Sequence, residues 1–366
     1  MSIDWTKSMQ QTYEFYEVDP GTWQNKRKLN MFTSSSIERD LEAETLGSAS
    51  FSLTENLHEC YVRTYIVANQ NGASRSFPLG THLVQTPSDS FDGIMHTYSI
   101  NGYTPLIELK ESQPPLGYSI KKGTNILTAA YRLTKEHMRA TVIEPKTDSD
   151  AVLQANFVAN DDDTWFSFIK DLLQNANYRF EVNQMGEILF APSQETASLQ
   201  PRFTYSDDNS SILLPSITVE GDLYSIPNVI EVCYSFKSGY LYSRMSNRDE
   251  SSPISVQNRG REIIKRIKNP DLMSTSSQST VDRYAKVQLQ AASSLSYKVS
   301  YEHGFNEVTI GDCVRLDYER AGIVGEKAKV TSQSIKCSTG CTISETAIFT
   351  KNLCGKITND YTGKEA

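Results

Sequence analysis

Ala49-Ser50-Phe51-Ser52-Leu53 and Tyr61-Val62-Arg63-Thr64-Tyr65-Ile66-Val67 carry a period of two, which turns alternate side chains to one side of a sheet. The same period, punctuated by turns, runs through residues 28–109 and predicts short antiparallel strands. Asn71-Gly72 tolerates two positive φ angles in a tight hairpin, and Asp92-Gly93 repeats the signal ahead of a strand from Tyr98 to Gly102. Between Glu111 and Gly117 the pair Pro114-Pro115 removes two amide donors and forces extended backbone before each ring, which places a domain boundary there.

Beyond that boundary the period changes. Ile126, Ala130, Leu133 and His137 fall on one helical face with Thr124 as the expected N-cap. Trp165, Phe168, Ile169, Leu172, Leu173 and Ala176 form a second amphipathic stripe behind Asp161-Asp162-Asp163. Two strands, Asn177 to Val182 and Glu187 to Ala191, are joined by Asn183-Gln-Met-Gly186 and read as a hairpin packed on that helix. Period-2 patterning returns after Pro201, with expected strands over 211–219, 228–236, 306–316 and 327–335. Ser279-Thr280 is the expected cap of one further helix carrying Val281, Tyr284, Ala285, Gln288, Ala292 and Leu295, whose small apolar face suits a sheet. The fold class is therefore α+β, mainly β, divided into residues 1–118, an inserted helix-plus-hairpin module over 119–200, and residues 201–366. A weak echo between Gly80-Thr-His-Leu-Val and Gly311-Asp-Cys-Val-Arg-Leu hints at two copies of one barrel.

At 366 residues the chain exceeds what one core usually organises. Its 38% hydrophobic and 10% aromatic content exclude global disorder. A net charge of −8 has the wrong sign for gripping nucleic acid. The basic runs Lys26-Arg27-Lys28 and Lys265-Arg266-Ile267-Lys268 lack interleaved aromatics and read as solvated faces or protein interfaces. No stretch approaches the roughly 18–20 apolar residues of a membrane span, and the polar start from Met1 to Gln11 leads us to expect cytoplasmic synthesis without processing.

The chemistry-bearing residues are scattered. There is no Gly-x-Ser-x-Gly elbow, His-Glu-x-x-His, phosphate loop or dinucleotide fingerprint, so we assign no catalytic, cofactor-binding or metal residue and expect no enzyme and no cofactor. Cys337-Ser-Thr-Gly-Cys341, with Cys354 and Cys313, is the one metal-like constellation; hairpin-turn thiols are the reading preferred over zinc or a reversible disulfide. Cys60 and Cys233 complete a set of six expected free thiols. Asp161 to Asp163 suit the start of a helix better than calcium, and His58, His82, His96, His137 and His303 read as packing or surface residues.

Leu79-Gly80-Thr81-His82-Leu83-Val84-Gln85-Thr86-Pro87, followed by Phe91-Asp92-Gly93 and Tyr103-Thr-Pro-Leu106-Ile-Glu-Leu109, resembles phage tail hub and baseplate hub proteins. The helix and hairpin from Asp163 to Phe190, then Ser225-Ile-Pro-Asn-Val-Ile-Glu-Val232, then Ser252-Pro-Ile-Ser255 with Asn258-Arg-Gly-Arg-Glu262, agree in order, so the resemblance spans most of the chain. It implies two tail-tube-like antiparallel β-barrels, 1–118 and 201–366, and a homotrimeric, pseudo-sixfold ring at the distal end of the virion tail. Such a hub adapts a sixfold tail tube or distal tail protein above to a threefold spike or fibre below. It surrounds a channel for the tape-measure protein and for genomic DNA, which passes without specific binding, and it needs no membrane. The alternatives are a distal tail or carbohydrate-binding adhesion protein of the virion, or a tail-associated cell-wall hydrolase. Family members that carry a C-terminal lysozyme or peptidase domain differ from this sequence, whose polar end after Cys354 has no periodicity able to bury a face.

Overall fold

The computed structural model describes residues 3–146, 151–208, 211–224, 226–236, 239–270 and 277–361. Ser225 and the last five residues of the polar tail, both used in the sequence reading, lie outside them. The first strands are β1 (Gln10–Val18), β2 (Asn25–Leu29), β3 (Phe32–Asp40), β4 (Gly47–Leu53), β5 (Cys60–Gln70), β6 (Ala73–Phe91) and β7 (His96–Tyr103). β4 alternates buried and less buried positions as the period of two requires. β5 does not: Tyr61, Val62, Arg63 and Thr64 are buried in succession, as are Ile66, Val67 and Ala68, because this strand is covered on both faces. Asn71 and Gly72 hold φ of 51° and 75°, so the first hairpin has the expected two-residue turn. The second hairpin also forms, but over the longer loop 92–95.

Residues 107–192 form a helix-and-hairpin module of α1 (Ile107–Lys110), β8 (Ser119–Ile120), α2 (Ile126–His137), β9 (Phe157–Val158), α3 (Trp165–Gln174), β10 (Tyr178–Val182) and β11 (Ile188–Pro192), within the same compact unit as the first strands. Residues 107–109, expected as strand, instead form the turn of α1, where Leu106 and Leu109 join the module core. Asn125, not Thr124, caps α2: its side chain accepts from the Thr128 N–H. Thr164 and Ser167 make a capping box on α3, and Asp163 braces it by accepting from the Ser167 hydroxyl at 2.8 Å. Trp165, Phe168, Ile169, Leu172 and Leu173 are all buried against α2 and the β10–β11 hairpin, as the stripe predicts. Ala176 falls beyond the end of α3 but still packs on this core.

The remaining elements are β12 (Phe203–Ser206), β13 (Leu213–Glu220), β14 (Val229–Phe236), β15 (Gly239–Asn247), α4 (Val256–Arg259), β16 (Ile264–Lys268), α5 (Gln278–Ala292), β17 (Ser294–His303), β18 (Cys313–Tyr318), β19 (Ile323–Lys336), β20 (Ile343–Asn352) and β21 (Ile357–Asn359). Three expectations shift here. Leu295 belongs to β17 rather than to the preceding helix, because from Ser294 onward the period is two. Residues 306–312 form a loop and only Cys313 begins a strand; Asn306 and Asp312 accept from the N–H groups of Val308 and Thr309, which favours turns over a ladder. Ser277 rather than Ser279 or Thr280 stands at the N-cap of α5.

Thirteen strands make one sheet in the order β13-β17-β20-β19-β3-β4-β7-β6-β5-β1-β2, with β18 beside β19 and β12 beside β18. The β12–β18 pair is parallel, as is β14–β16, so the expectation of antiparallel pairing throughout holds for most neighbours but not these. The chain divides into two compact units, 1–217 with 300–347, and 218–299 with 348–366; the division falls inside β13, β17 and β20. These units cut the chain differently from the segments 1–118, 119–200 and 201–366. The reason is the β3–β19 ladder, which pairs Ser332↔Asp40 through Lys336↔Ser36 and puts N-terminal and C-terminal strands in one sheet. In the second unit β16-β14-β15-β21 form a four-stranded sheet, and α5 buries Val281, Ala285 and Leu289 on Ile230, Val232 and Met245. The two glycines of the sequence echo have unlike roles: Gly80 lies within β6, whereas Gly311, with φ of 88°, sits in the loop before β18.

Ile335 is fully buried in the ladder between β19 and β3. Replacing it with Val should cost about 0.5–1.5 kcal/mol and with Ala about 2–5 kcal/mol. Urea denaturation checks this, and a cost for Ala no larger than for Val would show that the ladder is not a packed core.

Candidate functional site

The stretch from Leu79 to Tyr103 builds the β6–β7 hairpin of the first unit. β6 pairs with β5 up to Val84↔Cys60 and with β7 from Leu83↔Tyr103 outward to Phe91↔His96. Past Val84 the β5 side of β6 has no neighbour in the ladder, because the chain turns away through 54–59. A groove of about 400 Å³ lies there, lined by Leu57, His58, Val84, Pro87 and Ile100 among others. Asn56, Glu59 and Gln85 complete a lining of mixed polarity, and an open strand edge beside a groove is the geometry that accepts an added strand.

The hairpin tip is ordered and apolar. The Asp92 carboxylate accepts from the N–H groups of Ile94 and Met95, each at 2.8 Å, and these bonds hold it below the usual aspartate range. That turn lifts Ile94 to 87% exposure and leaves Phe91 and Met95 more than half exposed. His96 bonds to Asp89 at 2.8 Å and lies between the rings of Phe91 and Tyr98. Exposed side chains of this size, clustered on one turn, mark an interaction surface rather than random exposure.

Beneath the hairpin lies a buried polar footing. A Cβ on Gly80 would stand 2.6 Å from Cε1 of His82, and one on Gly102 would stand 3.0 Å from its Cβ, so these two glycines make the space for the imidazole. His82 is buried with no partner for Nδ1; burial first, then the nearby Arg39 cation, lowers its pKa to about 3 and keeps the ring neutral. Arg39 donates to Leu79 O at 2.5 Å and to Gln333 Oε1 at 2.8 Å. Gln333 donates in turn to Glu345, which also accepts from Tyr301 at 2.5 Å. His303 lies 3.4 Å from the same carboxylate and 3.1 Å from the Tyr205 hydroxyl. Burial raises Tyr205 and Tyr301 well above the usual phenol range, so both remain protonated donors. Arg39, Gln333, Glu345, Tyr301, Tyr205 and His303 are linked to one another by these contacts, and His82 stands beside them without a partner for Nδ1.

Arg63 ties the β10–β11 turn to this footing. It is 1% exposed and donates to Thr81 at 2.9 Å, Asn25 at 3.0 Å, and the carbonyls of Trp23 and Met185 at 3.2 and 3.0 Å. The Trp23 indole donates to the same Met185 carbonyl. Gly186 approaches Thr81 so closely that a Cβ would stand 2.6 Å away. Nothing in the alternation of Tyr61 to Val67 signals this role, since Arg63 occupies a position the pattern treats as ordinary.

The other residues singled out in the sequence do not converge. Cys337 and Cys341 flank the β19–β20 turn, with burial raising their thiols to about 12 and 11. Cys313 starts β18, and Cys354 packs beside the α5 core of the second unit. Among the described residues no group of three His, Cys, Asp or Glu side chains is arranged to hold a metal ion. His137 stacks on Trp165 at 4.0 Å, and His58 lines the groove. No helix among the described residues is long and apolar enough to cross a membrane.

No family model matches the chain, and no curated protein matches it in sequence. Its fold is that of phage tail proteins. It is similar to the tail protein from Neisseria meningitidis MC58, with a TM-score of 0.59, 11% identity, and 92% of this chain covering 96% of that one. The 43 kDa tail protein of prophage MuSo2 from Shewanella oneidensis gives 0.57 and 12%, with 92% of this chain covering 98% of that one. A chain of the Francisella PdpA–VgrG complex gives 0.55 and 8%, and there 98% of this chain spans 60% of the larger protein. The sequence resemblance and the shared fold thus agree on a mainly-β, α+β tail-protein architecture.

Two measurements check the footing. Gly80→Ala should cost about 1–3 kcal/mol through collision with His82, and in a His82→Ala background most of that cost should vanish. An unfolded histidine protonates near 6.5 and His82 only near 3, so the unfolded chain binds more protons between these values. The stability held by neutral His82 is complete above about 6.5 and is lost as pH falls toward about 3. Between pH 6.5 and 5 it should amount to about 2 kcal/mol. Urea titrations should show a shallower acid slope in His82→Leu; equal slopes would refute the assignment.

Proposed function

We propose that the chain is a structural hub of a phage tail tip or baseplate, acting as a homotrimeric, pseudo-sixfold ring without catalytic activity. The observation that carries this reading is the match in fold over 92% of the chain to two tail proteins, each of nearly the same extent. On this reading residues 1–118 and 201–366 supply two tail-tube-like strand sets per subunit and residues 119–200 an inserted module. Two sets in each of three subunits meet a sixfold tube on one side and a threefold spike or fibre on the other. The open edge of β6 and the apolar tip at Phe91, Ile94 and Met95 are the surfaces suited to pairing between subunits. A chain of net charge −8 lets DNA pass the lumen without holding it, and the tape-measure protein occupies that channel before ejection. The site of action is the distal end of the tail.

Light scattering of the purified chain should give a mass near three chains, and the double variant Ile94→Asp/Met95→Lys should shift it toward one chain with an unchanged melting temperature. A wild-type chain that stays monomeric at high concentration, or a variant that assembles equally well, would count against the ring.

A further inference from the structure

The second unit carries an open sheet edge of a different chemistry. Among the described residues β16 is the terminal strand of its four-stranded sheet, and it pairs in parallel with β14 through Val229↔Ile264 to Cys233↔Lys268. The bonds Val229 N–H to Ile263 O and Asn269 N–H to Cys233 O fix which backbone groups face β14. By that register the odd-numbered residues 263–269 bond inward, and the N–H and C=O groups of Ile264, Arg266 and Lys268 point away from the sheet. They form the template on which another strand can be laid.

The side chains along this edge are cationic on both faces. Ile267 packs into the α5 core, so Lys265 shares its face and Lys268 lies on the opposite one. Both lysines are exposed, and among the described residues no carboxylate pairs with either. The acidic groups nearby are already engaged: Glu231 holds Arg266 at 2.7 Å and Arg244 at 2.5 Å, and Arg244 also holds Glu262 at 2.5 Å. Arg261, exposed just ahead of the strand, adds a third positive charge.

We infer that the β16 edge binds an extended acidic segment of a partner protein by strand addition. A strand laid along 264–268 completes its ladder with Ile264, Arg266 and Lys268 and presents successive side chains to alternate faces, so carboxylates at adjacent positions meet Lys265 on one side and Lys268 on the other. A second copy of the same edge is disfavoured, because it would set lysine against lysine. The rival account is that the lysines serve only to keep edges apart.

The test uses the whole protein with a short capped peptide alternating threonine or valine with glutamate, and the same peptide with lysine for glutamate. Fluorescence anisotropy should show the acidic peptide bound at least about tenfold more tightly than the basic one, weakening with salt. Hydrogen exchange should slow at the amides of Ile264, Arg266 and Lys268. The variant Lys265→Glu/Lys268→Glu, both sites being exposed, should keep the wild-type melting temperature and invert the preference. Lack of binding at about 1 mM acidic peptide, protection confined to other strands, or a preference that survives the charge reversal would each overturn the inference.

Discussion

The pairing of β3 with β19 is the constraint on which the rest of the first unit depends. It joins residues 32–40 to residues 332–336, so that strands from the two ends of the chain share one hydrophobic core. Ile37 and Ile335 are buried partners within it, and Ser334 donates to Glu38 at 2.6 Å along the outside. The polar chain from Leu79 through Arg39 and Gln333 to Glu345 crosses the same joint, and every member finds a partner there. Removing one partner would strand buried charge, so the network fixes register as well as position.

From this joint the surface features follow in order. Arg39 and His82 set the base of β6, Gly80 and Gly102 admit the imidazole, and the upper half of β6 extends past the end of β5 with β7 alone beside it. The open edge and apolar tip are thus consequences of where β5 stops. Arg63 performs the matching task for the helix-and-hairpin module, joining the Met185 carbonyl of the β10–β11 turn to the Trp23 carbonyl between β1 and β2 without a carboxylate partner. Burial lowers its pKa, but an arginine retains its charge under such a shift.

Much of this architecture was legible in the sequence, and the rest was hidden for identifiable reasons. The stripe from Trp165 to Leu173, the Asn71-Gly72 turn and the 178–192 hairpin are local, and local pattern dictates them. The β3–β19 ladder and the parallel β12–β18 pair join residues far apart, and alternation says that a strand has a buried face without saying which strand lies beside it. The expected strands do not cover β12, β15, β16, β17, β20 or β21. β17 and β20 both alternate, and the opening Leu295 of β17 also fits the helical face that precedes it. The stretch Leu79 to Tyr103 was found through its resemblance to tail hubs, yet the reasons for its glycines and for His82 became visible only once the strands were in place.

Symmetry is the property that most directly separates a hub from any other use of this fold. Class averages of negatively stained particles of the purified chain should show a threefold ring with a central opening. Compact single-subunit particles at every concentration, or closed rings of another order, would contradict the account.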